Sequence, residues 1–393
     1  MRILFLVSTF APTIGGAETY ALNLTRGLTS LGHTVSVVTD HVTGEPSTSQ
    51  IGGVPIHRLY EYRERFQARD RIMWEEMAFG LRPELSAIVE RFAPDAIMSN
   101  SLDLCVLAKL CSIATNSPWI AAFHEQAPER DPFGDATLRL CYGLLEPDKI
   151  VAGSRFYLKR ALQFGQDSRC HLIHHGIDTA QFRPLASAHE VREAFGLVPK
   201  SIVLASVGRF KARKGFLDLI EAFALLPEQE APVCLIIVGS LNSASAEYYE
   251  QMRVKIDRLG LGDRVRLEDT LTHDRIPWLV SGSDIVVQAS LEEGLGLAVI
   301  EAMACERPVI ATRICGHTEI VNSNDIAILV DAAAPQQLAH AITSLLNDDK
   351  WRARLGRQAR QHVVSAFSLH AMASSTASLI RSAIEGRGGH GQA

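Results

Sequence analysis

Glu293 and Glu301 stand eight residues apart in the segment Ser290-Leu291-Glu292-Glu293-Gly294-Leu295-Gly296-Leu297-Ala298-Val299-Ile300-Glu301-Ala302-Met303-Ala304. Gly294 and Gly296 interrupt the chain just before a run of Leu, Ala, Ile and Met with helical composition. A helix starting there offers unpaired N–H groups and the positive end of its dipole. Glu293 lies ahead of that helix and Glu301 inside it. With about five of the intervening residues helical at ~1.5 Å rise each, the two carboxylates can reach different parts of one extended ligand. Carboxylates accept from hydroxyls, so the pair suits two sets of sugar hydroxyls; a solvated helix residue is the plain alternative for Glu301.

A cationic loop, Gly208-Arg209-Phe210-Lys211-Ala212-Arg213-Lys214-Gly215, follows the apolar run Ile202–Val207. Cations just beyond a strand can neutralise a diphosphate, although a solvated basic loop has the same composition. Lys214 is followed by Gly rather than Ser or Thr, so this is no Walker A loop, and G-x-G-x-x-G is absent from it. Gly15-Gly16-Ala17-Glu18 opens a helical stretch, where glycines let backbone N–H groups approach a phosphate or sugar; a tight turn with no ligand explains them equally well. His124, Ser154 and His174-His175-Gly176 follow further apolar runs. His171, His174 and His175 straddle a strand end, and a zinc site is not expected from them. No D-x-D occurs, so no acidic pair is at hand to bridge a divalent ion to a diphosphate, and no G-x-S-x-G marks an α/β-hydrolase.

These segments need strands that end beneath them. Ile3–Val7 is a continuous apolar run, as a parallel strand buried on both faces requires. Ala17–Leu31 has helical spacing and stops at Gly32; Val35–Val38 is the next strand. Ala96–Met98, Trp119–Phe123, Lys149–Val151 and His171–Ile173 read as strands, with helices over Asp103–Ile113 and Arg155–Gln163. The pattern restarts after a connector at Gln181–Lys200 that holds a short helix. Strands follow at Ile202–Val207, Val233–Val238, Val265–Leu267, Ile285–Gln288, Val309–Thr312 and Ile328–Val330. Helices are expected at Leu217–Leu226, Ala246–Leu259, Gln336–Asn347 and from Trp351 to about Ile384. Alternating strands and helices make the class α/β with parallel sheets. In such sheets ligands bind at the carboxyl ends of strands, where all four segments fall.

The chain has 393 residues, which suits two domains of roughly 150–200 residues. Residues 1–180 and 181–365 are the expected halves, with a helix at 366–385 and a disordered Gly-rich tail at 386–393. The formal net charge of −5 argues against a mainly electrostatic nucleic-acid binder. Seven cysteines without a C-x-x-C suit buried free thiols in a reducing compartment. No signal peptide is evident, and no run approaches the roughly 20 apolar residues of a membrane span. A cytoplasmic protein is expected, with peripheral membrane contact left open.

Taken together and in this order, the segments resemble the GT-B glycosyltransferases of family 4, from residue 1 to about 370. The strongest part is Glu293-x7-Glu301, followed by Pro308–Thr312 and Glu319-Ile320-Val321; Gly15–Glu18, His174–Asp178, Gly208-Arg209-Phe210, Lys214-Gly215 and Phe367-Ser368 also match. The resemblance implies two Rossmann-like domains facing across a cleft, the N-terminal one for the acceptor and the C-terminal one for a nucleotide-sugar donor. It also implies a last helix that crosses back to the first domain. It implies a retaining transfer of a hexosyl unit to a hydroxyl acceptor (a glycan, a lipid-linked sugar or a small glycoside), with neither cofactor nor metal. Arg209 and Lys214 would hold the diphosphate and Glu301 the ribose. Glu293 and the backbone of Gly294, Leu295 and Gly296 would hold the sugar, with His124 beside it. Gly16 would approach the phosphate or the acceptor, with Gly15, Glu18 and Ser154 nearby. Glu306, Asp269 and Ala327 depart from frequent glycines, Ala289 and His174 from proline, and His175 from asparagine. Another GT-B enzyme, such as an epimerase or phosphorylase, and a non-catalytic nucleotide-sugar binder are the competing classes. Tyr60–Arg82 interleaves Arg with aromatics and suits an anionic lipid-linked acceptor or membrane surface, although its acidic residues also suit a solvated helix–loop.

Overall fold

The computed structural model describes residues 1–13, 16–59, 74–124, 134–185 and 188–388. They form two compact units: Met1–Gly176 with the chain from Leu369 onward, and Ile177–Ser368.

The first unit carries an eight-stranded sheet. Its strands are β1 (Arg2–Val7), β2 (Thr34–Asp40), β3 (Thr48–Ile51), β4 (Val54–Leu59), β5 (Ala96–Ser99), β6 (Trp119–Phe123), β7 (Lys149–Ala152) and β8 (Cys170–Leu172), in the order β3-β4-β2-β1-β5-β6-β7-β8. Ile3 to Val7 are buried, and apolar layers cover both faces of the sheet, which is why the central strands β1, β2, β5 and β6 are predominantly apolar. All neighbouring strands pair in parallel except β3 and β4, which form an antiparallel hairpin at the sheet edge with Ile51 opposite Val54. No strand is expected there from sequence, because Pro55, His57 and Arg58 break the apolar run. The fold accepts Arg58 by burying it (1% exposed) with its guanidinium donating to Pro46 O, Ser49 Oγ and Ala11 O.

Helix Gly16–Ser30 packs against the last helix, Leu369–Gly388. A Cβ on Gly27 would lie 2.7 Å from Ala373 Cβ and 2.9 Å from Leu369 O, so the absent side chain sets how close the helices come. The last helix runs through residues 386–388 of the expected tail. Arg387 donates to both carboxylate oxygens of Asp148, at 2.8 and 2.7 Å, and to Ser117 O. That bidentate pair outweighs the helix-weakening glycines on either side. Residues 389–393 lie outside the described residues. The stretch expected to be helical over 351–384, with a separate last helix from 366, forms two helices, Asp349–Ala366 and Leu369–Gly388. At the break, Ile177 N donates to Phe367 O at 2.8 Å, a pairing that continuous helix geometry would preclude.

The second unit holds β9 (Ile202–Val207), β10 (Val233–Val238), β11 (Val265–Glu268), β12 (Ile285–Gln288), β13 (Val309–Thr312) and β14 (Ile328–Val330). They form an all-parallel sheet in the order β11-β10-β9-β12-β13-β14, covered on both faces by apolar layers. Strand order reverses between β1 and β5 in the first unit and between β9 and β12 in the second. The carboxyl ends of those pairs are where a doubly wound sheet leaves a crevice.

Helix Leu297–Ala304 ends in a left-handed residue, Glu306, at φ 61°. A side chain there costs about 1–2 kcal/mol relative to glycine, partly offset by glycine's greater freedom when unfolded. Glu306→Gly is therefore expected to stabilise the protein by about 1 kcal/mol, a rise of roughly 2–4 °C in melting temperature. An unchanged or lower melting temperature in a thermal scan would count against strain at this cap.

Candidate active site

In the second unit the loops after β9 and β12 touch. Gly215 has φ 64°, and a Cβ on it would sit 1.9 Å from Ala289 O, so only glycine lets the cationic loop close against the other. Leu291 N donates to Arg213 O at 2.7 Å and completes the contact. The closed loops bring three charges together. Lys214 Nζ donates to Glu293 Oε1, and Arg213 NH1 donates to Glu293 Oε2 at 3.1 Å. Ser290 Oγ adds a 3.3 Å bond to Oε1. Burial alone would raise the Glu293 carboxyl; Lys214 and Arg213 more than offset it and hold it below its ordinary range.

Glu301 lies one turn into helix Leu297–Ala304, partly exposed, and its carboxylate has no hydrogen-bond partner among the described residues. Burial pushes its carboxyl up to about 7, opposed by Lys214. Thus one glutamate is held ionised by two cations while the other, nearby, has its acceptor capacity unspent. Arg209, on the same loop, is exposed and makes no ion pair or hydrogen bond with a described residue. Lys214 is joined to Glu293 by Arg213, which had no separate role in the sequence reading. Gly294 and Leu295 are buried, and Gly296 caps the helix at φ 101°.

In the first unit, His124 follows β6 and its Nε2 lies 2.7 Å from Asn100 Oδ1. Asn100 Nδ2 donates to Ala17 O at 3.0 Å, which fixes the amide with its oxygen toward the histidine. His124 therefore carries its proton on Nε2 and keeps Nδ1 as an acceptor. Burial pushes its pKa down to about 4, so the ring is neutral at physiological pH. Tyr20 packs 4.6 Å from His124 and 4.6 Å from His175, and His124 and His175 are 5.1 Å apart. His175 Nε2 is buried without a partner against Gly153, where a Cβ would lie 1.9 Å away.

The remaining expected residues are dispersed in role. Gly16 is exposed at the first turn of its helix with open space where a Cβ would stand, while Gly15 lies outside the described residues. Glu18 accepts from Thr9 Oγ1 and so ties its own loop. Ser154 is fully buried and its Oγ accepts from Tyr157 N at 3.3 Å, capping helix Arg155–Ala161. Of the Tyr60–Arg82 stretch, residues 60–73 lie outside the described residues. Among the described residues no group of three metal-capable side chains converges, His171, His174 and His175 included, and no helix is long and apolar enough to cross a membrane. A groove of about 670 Å³ lined by Arg2, Leu85, Val89, Pro94, Leu110 and Ile113 lies at the opposite end of the first sheet and holds none of these groups.

From sequence Arg213 is only one cation of its loop, and Gly316 and His317, which follow β13 and back the Glu293 loop, carry no role at all. Their signal was available: they follow the carboxyl end of a predicted strand next to the switch point.

Comparison with known proteins bears on the family and the fold. Residues 187–362 match the model of the group 1 glycosyl transferases, and residues 14–181 match that of glycosyltransferase family 4. The D-inositol 3-phosphate glycosyltransferase 2 of Catenulispora acidiphila is 27% identical over 391 residues, taking in 94% of this chain and 91% of that protein. The D-inositol 3-phosphate glycosyltransferase of Jonesia denitrificans is 31% identical over 201 residues, 49% of this chain and 47% of that protein, so this match spans about half its length. Among solved structures, a glycosyltransferase from Rickettsia africae superposes with a TM-score of 0.80 at 20% identity, covering 98% of this chain and 99% of that one. Anabaena HepE in complex with UDP and glucose superposes with a TM-score of 0.76 at 22% identity, covering 97% and 100%. Both are likenesses of fold.

Proposed function

The chain belongs to the GT-B glycosyltransferases of family 4, and from that premise we propose that it moves a hexosyl unit from a nucleoside-diphosphate sugar to a hydroxyl acceptor with retention and without a metal ion. The observation that carries this is the pairing of a glutamate clamped by two cations, Glu293, with an unpartnered one, Glu301, at one helix start. Glu301 accepts the ribose hydroxyls. Glu293 and the backbone of Gly294 to Gly296 take the sugar hydroxyls. In the first unit His124 keeps Nδ1 free to accept from a sugar hydroxyl.

Lys214 and Arg209 meet the diphosphate. Lys214 is shared: before the donor arrives it neutralises Glu293, and the diphosphate then draws it away. Arg213 stays on Glu293 and keeps that carboxylate compensated while it binds the sugar. In the step itself, the bond from C1 of the sugar to the phosphate oxygen breaks as the acceptor oxygen bonds to C1 from the same face. The leaving phosphate oxygen takes the acceptor's proton. Fixed positive charge stabilises the departing diphosphate, the role a divalent ion plays where an acidic pair holds one. Release of nucleoside diphosphate from a panel of UDP-, GDP- and ADP-sugars, with EDTA present and the anomer read by NMR, tests the proposal. Inversion, or an absolute need for added metal, would refute its mechanism.

A pH dependence follows from Glu301. Its pKa of about 7 exceeds the ordinary 4.5, so the folded state holds the proton more tightly than the unfolded chain. The stabilisation this brings is complete below about 4.5 and is lost as pH rises through 7. The ionised form is the stronger acceptor for ribose hydroxyls. Donor affinity should therefore rise up to about tenfold from pH 6 to pH 8 and level off above, because roughly nine-tenths of the carboxyl is protonated one unit below its pKa. Calorimetric titration should show that rise flattened in Glu301→Gln; an equal rise in the variant would assign it to another group.

A further inference from the structure

The loop that carries Glu293 is backed by a side chain with no assigned role. His317 sits in helix Cys315–Ile320, just after β13, and is 1% exposed. Its Nδ1 lies 3.0 Å from Thr312 O, and a carbonyl only accepts, so Nδ1 carries the proton. Burial lowers the ring's pKa to about 4, and it stays neutral while the enzyme works. Thr312 in turn donates its hydroxyl to Ser290 O, and Ser290 Oγ donates to Glu293 Oε1 at 3.3 Å. A chain of bonds thus runs from the imidazole through β13 to the Glu293 carboxylate.

The same residue braces the loop by contact. A Cβ on Gly296 would lie 2.6 Å from His317 Cδ2 and 2.9 Å from Nε2, so the edge of the ring rests on the Gly296 backbone. At its neighbour Gly316, a Cβ would lie 2.7 Å from Leu295 O and 2.8 Å from Glu293 O. Gly296 has a φ of 101°, where glycine is the natural residue and carries no side chain of its own to resist movement. Its position is set by what presses on it, and that is His317.

We propose that His317 is a positioning residue that holds the Glu293–Gly296 loop at a fixed distance from the donor sugar, and that it thereby sets how sharply the site tells one sugar from another on the same nucleotide. This rests on the reading of the loop as the donor-sugar subsite. The nucleotide half of the site, centred on Glu301 and Lys214, does not depend on the brace. A hydroxyl misplaced by an ångström leaves the groups meant for it unpaired, which is how sites of this kind discriminate.

The test compares His317→Leu, which keeps similar bulk but has no N–H, with His317→Asn, whose amide N–H stands where Nδ1 stood. Each is titrated with nucleoside diphosphate in a calorimeter and assayed with the preferred nucleotide sugar and with its epimer. For His317→Leu, nucleoside-diphosphate affinity should stay within about threefold, kcat/KM for the preferred sugar should fall about 30-fold, and preference over the epimer should shrink about tenfold. His317→Asn should recover a large part of both. The proposal is overturned if the leucine variant discriminates as the parent does, or if nucleoside-diphosphate affinity falls in step with turnover in both variants. A parent protein that binds no nucleoside diphosphate would instead bring down the underlying reading.

Discussion

Lys214→Ala is expected to lower sugar transfer about 1,000-fold while leaving the melting temperature within a few degrees of the parent. Lys214 is the cation that both glutamates of the site sense: it donates to Glu293 and lowers the carboxyl of Glu301 against the effect of burial. On the proposed reading it meets the departing diphosphate together with Arg209. Removing one such stabilising group from an acyl-transfer site costs about 10² to 10³, and a full charge in a partly enclosed site belongs at the upper end. The fold is spared because Arg213 still pairs with the second oxygen of Glu293 at 3.1 Å, so no carboxylate is left buried without a partner. Turnover within tenfold of the parent would mean that Lys214 serves only to hold Glu293, with Arg209 carrying the diphosphate alone.

Gly215→Ala should be the most disruptive single methyl in the second unit. The residue has φ 64°, and the added Cβ would fall 1.9 Å from Ala289 O, a backbone atom that cannot swing aside. Gly260→Ala is the matched control. It has φ 65° in the same unit, but nothing stands within 4 Å of its Cβ, so it bears the left-handed cost alone, about 1 kcal/mol. Gly215→Ala adds a steric conflict and should cost about 3 kcal/mol or more. It should also abolish donor binding, because the loops that bring Lys214 and Arg213 to Glu293 cannot close. Thermal scans of the two variants, with donor titrations alongside, separate backbone strain from loop closure. Equal losses in both would show that the contact with Ala289 relaxes freely.

What could be read from sequence follows from how local each feature is. Ile3–Val7 and Val233–Val238 announce themselves because strands buried on both faces must be apolar throughout. Glu293 and Glu301 could be found because glycines and a helix start mark their segment from within. The β3–β4 hairpin was hidden because its strength lies in Arg58, a charged residue made internal by bonds to Pro46, Ser49 and Ala11. The end of the final helix is not legible in sequence because glycines at 386 and 388 say nothing of Asp148, 239 residues away from Arg387 in the chain. Arg213 and His317 were missed for a related reason. Each follows a strand's carboxyl end, which the sequence does mark, but its reach from there to the Glu293 loop is not encoded by spacing along the chain.

The most direct test of the donor site is calorimetric titration of UDP, GDP and ADP, with EDTA present, into the parent protein and Glu301→Ala. One nucleotide should bind the parent, with affinity falling at least tenfold in the variant, since the carboxylate proposed to accept the ribose hydroxyls is gone. Binding of none of the three, or equal binding by both proteins, would contradict the assignment of the second unit as the nucleotide-sugar domain.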